Sequence, residues 1–191
     1  QEILKIADSP SSVLVLGEKG VEKEKVVRAI HEESNRKDQI FGTVHCAAEN
    51  QESLEKELFG IAGGKNTRGK VGKIEAASKG TVVLEDVEKL SQELQRKIWE
   101  YLENGWIVRW GGIRKRKVSS RLLFTSSENL AKAAEEGRFL FPLYYRISAI
   151  LLRVPPLRER QGDIHYFAQK YLQQYAELMK MDFLITIRQV N

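Results

Sequence analysis

Gly17, Gly20 and Lys23 follow directly on the apolar run Val13–Leu16, in the stretch GEKGVEKEK. A strand that runs into a glycine turn and then a lysine is suited to binding phosphate. Backbone amides at such a turn point toward an anion, and the lysine adds a positive charge. The full phosphate-loop pattern, G-x-x-x-x-G-K-[ST], is only half kept. Gly17 and Lys23 hold their places, but Glu22 stands where the second glycine belongs and Glu24 where the hydroxyl belongs. Glycine before the lysine lets backbone pass close to phosphate, whereas Glu22 adds bulk and negative charge beside a polyanion. Taken alone, a plain strand–turn–helix accounts for the stretch nearly as well. A second polar pair, Glu85-Asp86, closes the apolar run Thr81–Leu84. Acids at a strand end suit metal-water binding and activation of an attacking water. The competing reading is an Asp helix cap with first-turn acids. Jointly, the two stretches favour a nucleotide site.

The elements that must position these groups alternate. Val13–Leu16 reads as a buried strand, Lys23–Ser34 as a helix, Phe41–Cys46 as a strand and Glu52–Phe59 as a helix. Thr81–Leu84 is a third strand, and Ser91–Glu103 a helix stopped by Asn104-Gly105. Trp106–Trp110 and Val118–Thr125 read as strands around a basic turn, Arg114-Lys115-Arg116-Lys117. Helices near Leu130–Glu136 and Leu143–Ile147, a strand at Ile150–Val154 and a helix at Asp163–Met179 complete the chain. Strands alternating with helices predict an α/β fold with a mostly parallel sheet covered on both faces. Ligands bind such sheets beyond the carboxyl ends of the strands. The first strand leads there to Gly17-Glu18-Lys19-Gly20, the third to Glu85-Asp86 and the Leu122–Thr125 strand to Ser126-Ser127.

With 191 residues, 42% of them apolar and 30% charged, the composition is that of an ordinary globular domain with a substantial core. The formal charge of +5 is mild and spread along the chain, so a solvated mixed surface is favoured over dedicated nucleic-acid binding. By the same reasoning the basic run 114–117, which follows Gly111-Gly112, reads as a hairpin or loop tip rather than a DNA contact. The single cysteine, Cys46, excludes an internal disulfide and fits a reducing, cytoplasmic compartment. No apolar stretch approaches the ~20 residues that span a bilayer, so no membrane role is expected. His31, His45 and His165 lie far apart and predict no zinc site. Trp99, Trp106 and Trp110 are expected to pack in the core or sheet, and Cys46 to be buried and inert.

From about Ile6 to about Leu178 the chain resembles the AAA+ domain of bacterial sigma-54-dependent transcription activators. VLVLGEKGVEKEKVVRAIHEES resembles the family's phosphate-loop strand and helix. His45-Cys46-Ala47-Ala48 followed by Glu57-Leu58-Phe59-Gly60 resembles its N-C-A-A…E-L-F-G segment. KGTVVLEDV resembles its G-G-T-L-F-L-D-E-I strand, and LYYRIS and PPLRERQGDI match further strings. The resemblance implies a P-loop NTPase, AAA+ sheet at 1–158 and the start of a helical lid at 159–191. It implies ATP or ADP with Mg²⁺ at Gly17, Glu18, Lys19, Gly20, Val21, Glu22, Lys23 and Glu24. Glu85 would hold Mg²⁺ through water, Glu85 and Asp86 would serve catalysis, and Ser127 would take the place of the asparagine that senses the γ-phosphate. Arg146 falls on the second of two arginines that act across a subunit boundary.

Several positions depart from the family's pattern. Glu22 replaces a glycine, the acidic pair is reversed from Asp-Glu, and Leu140 and Ser127 replace the first trans-acting arginine and the sensing asparagine. After Gly60 the family's G-A-F-T-G-A loop, which grips the sigma factor, is replaced by Ile61-Ala62-Gly63-Gly64-Lys65-Asn66-Thr67-Arg68-Gly69. The expectation is therefore a central regulator domain that self-associates as a ring or dimer and binds nucleotide weakly or in altered form. It would be deficient in hydrolysis and in sigma-54 contact, with DNA and RNA polymerase reached through the larger assembly and a DNA-binding domain outside this segment. An active ATPase and a ligand-free scaffold are the alternatives.

Overall fold

The computed structural model describes residues 2–48, 50–64 and 68–179 and divides the chain into two compact units, Gln1–Val154 and Pro155–Asn191. The boundary expected from the sequence is 158/159.

The first unit is an α/β sandwich. It opens with α1 (Glu2–Ala7), β1 (Val13–Leu16), α2 (Lys23–Glu32), β2 (Phe41–His45) and α3 (Gln51–Phe59). A short antiparallel pair, β3 (Gly60–Ile61) and β4 (Lys70–Val71), precedes α4 (Lys73–Ala76) and β5 (Thr81–Glu85). Then come α5 (Gln92–Asn104), β6 (Trp106–Val108), β7 (Lys115–Lys117), β8 (Arg121–Ser126), α6 (Leu130–Glu135), α7 (Phe141–Ile147) and β9 (Ile150–Arg153). Five strands pair in the order β2-β5-β8-β1-β9, and every pairing is parallel.

The central strands are buried along their length, which is why they read as unbroken apolar runs. Alternate side chains then serve opposite faces. Leu14, Leu84, Leu122 and Phe124 join Leu54, Leu58, Leu94, Ile98, Leu143 and Ile147 in one core. Val13, Val15, Val83 and Leu123 meet Val27 and Ile30 of α2 in the other. Helix ends follow side-chain chemistry. Asn50, Ser91 and Asn129 accept hydrogen bonds from Ser53 N, Leu94 N and Lys132 N, and Gly105, at φ 68°, closes α5. No side chain caps α2, the helix that follows the phosphate loop.

Two expectations are corrected. The basic run does belong to a hairpin, but the strand bounds differ: Lys115–Lys117 forms its second strand, β7, the turn lies at 109–114, and β8 starts only at Arg121. The glycine pair Gly111-Gly112 supplies the reversal, with Gly111 at φ 71°, which leaves the basic residues to pair with β6. Trp106 is not a packing residue, since its side of β6 faces out and it is 44% exposed. Trp99 does pack against the core, and Trp110 lies under Lys56, whose Nζ is 3.9 Å from the ring centroid. Short elements with little periodicity, α1, α4 and the β3–β4 pair, have no counterpart in the sequence reading. Among the nine residues that replace the G-A-F-T-G-A region, Lys65, Asn66 and Thr67 lie outside the described residues. The second unit carries a 3-10 turn at Leu157–Glu159 and α8 (Gln161–Met179), in which Arg160 pairs with Asp163 at 3.1 Å.

Candidate functional site

The three polar strand ends converge. Gly17 N donates to Ser126 O at 3.2 Å, which ties the loop after β1 to the end of β8. Gly17 itself has no room for a side chain, because a Cβ there would lie 2.7 Å from Val21 Cγ2 and 3.0 Å from Val154 O. Gly20 at φ 85° and Glu22 at φ 59° give the loop two left-handed residues. Such turns curl successive amides toward a common point, the backbone form of an anion site. The loop thus keeps a glycine-type backbone although position 22 is a glutamate.

Lys23, the first residue of α2, reaches back over this loop. Its ammonium donates to Gly17 O at 2.9 Å, Glu18 O at 3.1 Å and Ser127 Oγ at 3.0 Å. Ser127 is held in turn by its amide, which donates to Glu88 Oε1 at 3.3 Å. A cleft of about 320 Å³ opens here. Its lining is cationic from the loop and α2 (Lys19, Lys23, Lys25), acidic from Glu24, Glu85 and Asp86, and completed by Gly20, Glu22, His45, Thr125 and Ser127.

Glu85, the last residue of β5, is buried, and burial pushes its carboxyl above the usual carboxylate range. His45 opposes that shift. It stands directly across from Glu85 in the β2–β5 register, and its Nδ1 lies 2.6 Å from Glu85 Oε2. The imidazole is 71% exposed, so the pair has one foot in the sheet and one in the cleft. Asp86 follows at φ 54°, and its amide donates to Thr125 Oγ1 at 3.4 Å. Its side chain caps no helix, so the structure does not support the cap alternative for this residue.

The donor set suits a phosphate anion with a divalent cation. Lys23 and the loop amides would hold phosphate. Glu85, a buried carboxylate whose ionised form gains from a nearby cation, would hold the metal with Glu24 and Asp86 close by. A bound cation would supply neutralisation of phosphate charge.

Most of the expected site residues meet in this cleft. Lys19, Gly20, Glu22, Lys23, Glu24, Glu85, Asp86 and Ser127 line it, while Gly17 and Glu18 contribute carbonyls to Lys23. Val21 is buried behind the loop. Arg146 is not brought to the cleft. Its guanidinium pairs with Glu103 at 3.0 Å and donates to Leu102 O at 3.1 Å, at the end of α5. Leu140 caps α7 through its backbone, and its amide donates to Gln95 Oε1 at 2.6 Å. Cys46 is fully buried, and burial pushes its thiol far above the ordinary range, as befits an inert cysteine. Lys25, His45 and Thr125 line the cleft without being expected there, and His45 is the one paired with an expected acid. Its signal was available, since it ends a strand and stands where the resembling family writes asparagine.

A family model described as Sigma-54 interaction domain matches residues 1–153. The chain is 38% identical over 181 residues to the signal-transduction and transcriptional-control protein of Clostridium beijerinckii, covering 93% of this chain and 29% of that one. It is 40% identical over 182 residues to a Nif-specific regulatory protein of Rhizobium leguminosarum bv. trifolii, covering 92% and 52%. Crystal structures of NtrX from Brucella abortus, 34% identical, superpose with a TM-score of 0.89 over 95% of this chain and 42% of that one. NtrX complexes with ADP and with ATP give TM-scores of 0.88 and 0.83. The chain therefore spans about half or less of the length of each of these relatives.

Proposed function

From the premise that this chain belongs to the sigma-54 interaction domain family, the AAA+ module of bacterial transcriptional regulators, we propose that it is a nucleotide-binding regulatory domain whose hydrolytic power is largely lost. The observation that carries this reading is Glu22. The phosphate loop keeps its left-handed backbone there while placing a carboxylate at the position where phosphate must approach. Binding is supported by the preserved Lys23 cluster and by the ADP and ATP complexes of NtrX. Weakening is argued from Glu22 as a neighbour of a polyanion.

Loss of hydrolysis rests on several positions together. Asp86 is one methylene shorter than the family's glutamate, Leu140 supplies no charge, and Ser127 is engaged by Lys23 and Glu88. Losing one positioned charge-stabilising group costs about 10²–10³ in rate, and an arginine finger about 10³–10⁵. Reduced sigma-54 contact is argued from the residue types after Gly60, which lack the aromatic–threonine pair of the G-A-F-T-G-A loop. Self-association is argued from α7, which presents Phe141 and Tyr145 to solvent beside Arg146. DNA and RNA polymerase would be engaged by the full regulator in the bacterial cytoplasm. Among the described residues no helix is long and apolar enough to cross a membrane.

The deciding experiment combines melts with turnover at about millimolar Mg-ATP. At a nucleotide concentration ~100 times Kd, binding should stabilise the fold by about 2.7 kcal/mol. The proposal expects a raised Tm with turnover near background. Robust turnover in the regulator with its flanking domains overturns it in favour of an active ATPase, and an unmoved Tm overturns it in favour of a scaffold.

A further inference from the structure

Besides groups that hold phosphate, the cleft contains one able to accept it. Of His31, His45 and His165, only His45 lines the cleft among the described residues. Its ring is held in one orientation. The last residue of β2 stands across from the last residue of β5, and His45 Nδ1 lies 2.6 Å from Glu85 Oε2. A carboxylate offers only acceptors, so the ring proton belongs on Nδ1, in the bond to the buried Glu85. Nε2 then carries the lone pair, on the far side of the ring. The imidazole is largely exposed where it lines the cleft, so that lone pair is accessible to a ligand. An imidazole oriented by a carboxylate in this way can serve as nucleophile or base.

The sheet sets this lone pair opposite the phosphate-gripping lysine. Lys23 is tied to Ser127, just past the end of β8, and His45 is tied to Glu85, at the end of β5. β5 and β8 are paired neighbours, about 4.8 Å apart. In the order β2-β5-β8-β1, the phosphate loop after β1 lies to one side of this point and His45 to the other. A phosphate chain running from the loop to Lys23 therefore presents its terminal phosphorus to His45, with the leaving oxygen on the loop side. That is the in-line arrangement phosphoryl transfer requires. Other nucleophile types nearby are engaged or enclosed. Thr125 Oγ1 accepts from the Asp86 amide, Ser127 Oγ accepts from Lys23, and Cys46 is buried.

We propose that His45 is a phosphoryl acceptor, which holds only if the cleft binds a nucleoside triphosphate as proposed above: its Nε2 takes the terminal phosphoryl group and becomes a phosphohistidine. The Nε2 lone pair forms the N–P bond while the bond from the terminal phosphorus to the bridging oxygen breaks. The electron pair of that bond leaves on the nucleoside diphosphate. The Nδ1 proton stays in the bond to Glu85, whose carboxylate faces the positive charge gained by the ring. Transfer to a side chain ends with the chain modified, so it yields no sustained turnover and agrees with hydrolysis near background.

The test incubates the whole chain with Mg²⁺ and ATP radiolabelled at the terminal phosphate, alongside melts with the same nucleotide. About one label per chain should appear. It should be lost in acid and kept in alkali, as a phosphoramidate behaves and a phosphoserine or an acyl phosphate does not. Peptide mapping should place it on the stretch Phe41–Cys46. His45→Gln should stay unlabelled at nucleotide concentrations that raise its Tm, and His45→Asn should do the same if the glutamine variant folds poorly. Independently of nucleotide, nitrogen NMR in alkaline buffer should find the His45 ring proton on Nδ1 and none on Nε2. The proposal is overturned by a raised Tm without label, by label on another residue type, or by a proton on Nε2. Sustained turnover that depends on His45 would make it a base for water, which overturns the proposal as well. An unmoved Tm removes the nucleotide reading itself, and phosphoryl transfer with it.

Discussion

Glu22 adopts φ 59° and ψ 43°, a backbone that disfavours any side chain with a Cβ. Lys79 and Asp86 share this left-handed region at φ 68° and φ 54°. Glu22 and Lys79 both stand where the family writes glycine, so the backbone has outlasted the residue suited to it. Surrounding contacts must over-determine such positions, because each costs about 1–2 kcal/mol. Glu22→Gly is therefore expected to raise stability by about 0.5–1 kcal/mol in chemical denaturation. Its surface ion pair with Lys25 is lost with little penalty. The same variant should tighten Mg-nucleotide binding in calorimetry, since it removes both bulk and charge from the loop. If affinity is unchanged, Glu22 is not the obstacle that the proposed function makes of it.

At the scale of elements, α1 packs Ile3 and Ile6 against the sheet and α2, and one side chain of the sheet holds its C-terminal end by hydrogen bonds. Arg121, the first residue of β8, is buried and donates to Ile6 O at 2.9 Å, to Ala7 O and to Ser11 O at 3.4 Å. Burial, with Arg36 nearby, pushes its guanidinium down to about 10. The carbonyls it serves lie at and just after the end of α1, where helical C=O groups lack intrahelical partners. Arg121→Met is expected to cost about 2–4 kcal/mol, because it strips the buried Ala7 O of its side-chain donor and removes the ties to Ile6 O and Ser11 O. Hydrogen exchange should locate the damage at residues 2–7, with the β5 and β8 amides still protected. Arg121→Lys keeps a charge but loses the planar fork, and should fall between the two. Equal loss of protection across the sheet would show that Arg121 supports the core rather than α1.

For the whole molecule, acid sensitivity follows from two groups. His31 is buried with Nδ1 3.0 Å from Thr81 Oγ1, and burial holds its pKa below the ordinary histidine value. A base whose folded pKa is lowered leaves the unfolded chain to take the proton first. Its contribution is thus complete above about pH 6.5 and is lost as pH falls toward the folded value. Glu75 behaves in the matching sense for an acid. The hydrogen bonds from Arg109 hold its carboxyl below the usual range, so its contribution is present above about pH 4.3 and lost below it. Melting temperature should therefore fall first below about pH 6.5 and again in the carboxylate range. His31→Gln should flatten the first decline alone, and an unchanged profile would assign that decline to other groups.

The parallel sheet and the location of the phosphate loop were legible in the chain because their signals are local. Apolar runs of strand length, helical spacing in α2 and α5, and polar residues just after Leu16, Leu84 and Thr125 depend only on near neighbours. Parallel strands bring the stretches after Leu16, Leu84 and Thr125 to one edge of the sheet, and the Lys23–Ser127 bond unites two of them. Other features needed the tertiary structure. The apolar Val118 invited an early start to a strand that the ladder begins only at Arg121, while Lys115–Lys117 became a strand only by meeting Trp106–Val108. His45 entered the site because β2 lies beside β5 in a register that sets it against Glu85, and the exposure of Trp106 followed from which side of the ribbon faces the core. Residue type and spacing specify what a segment can form and what chemistry it can offer. Which side chains finally meet is decided by strand order and register, and those are set by the packing of the whole core.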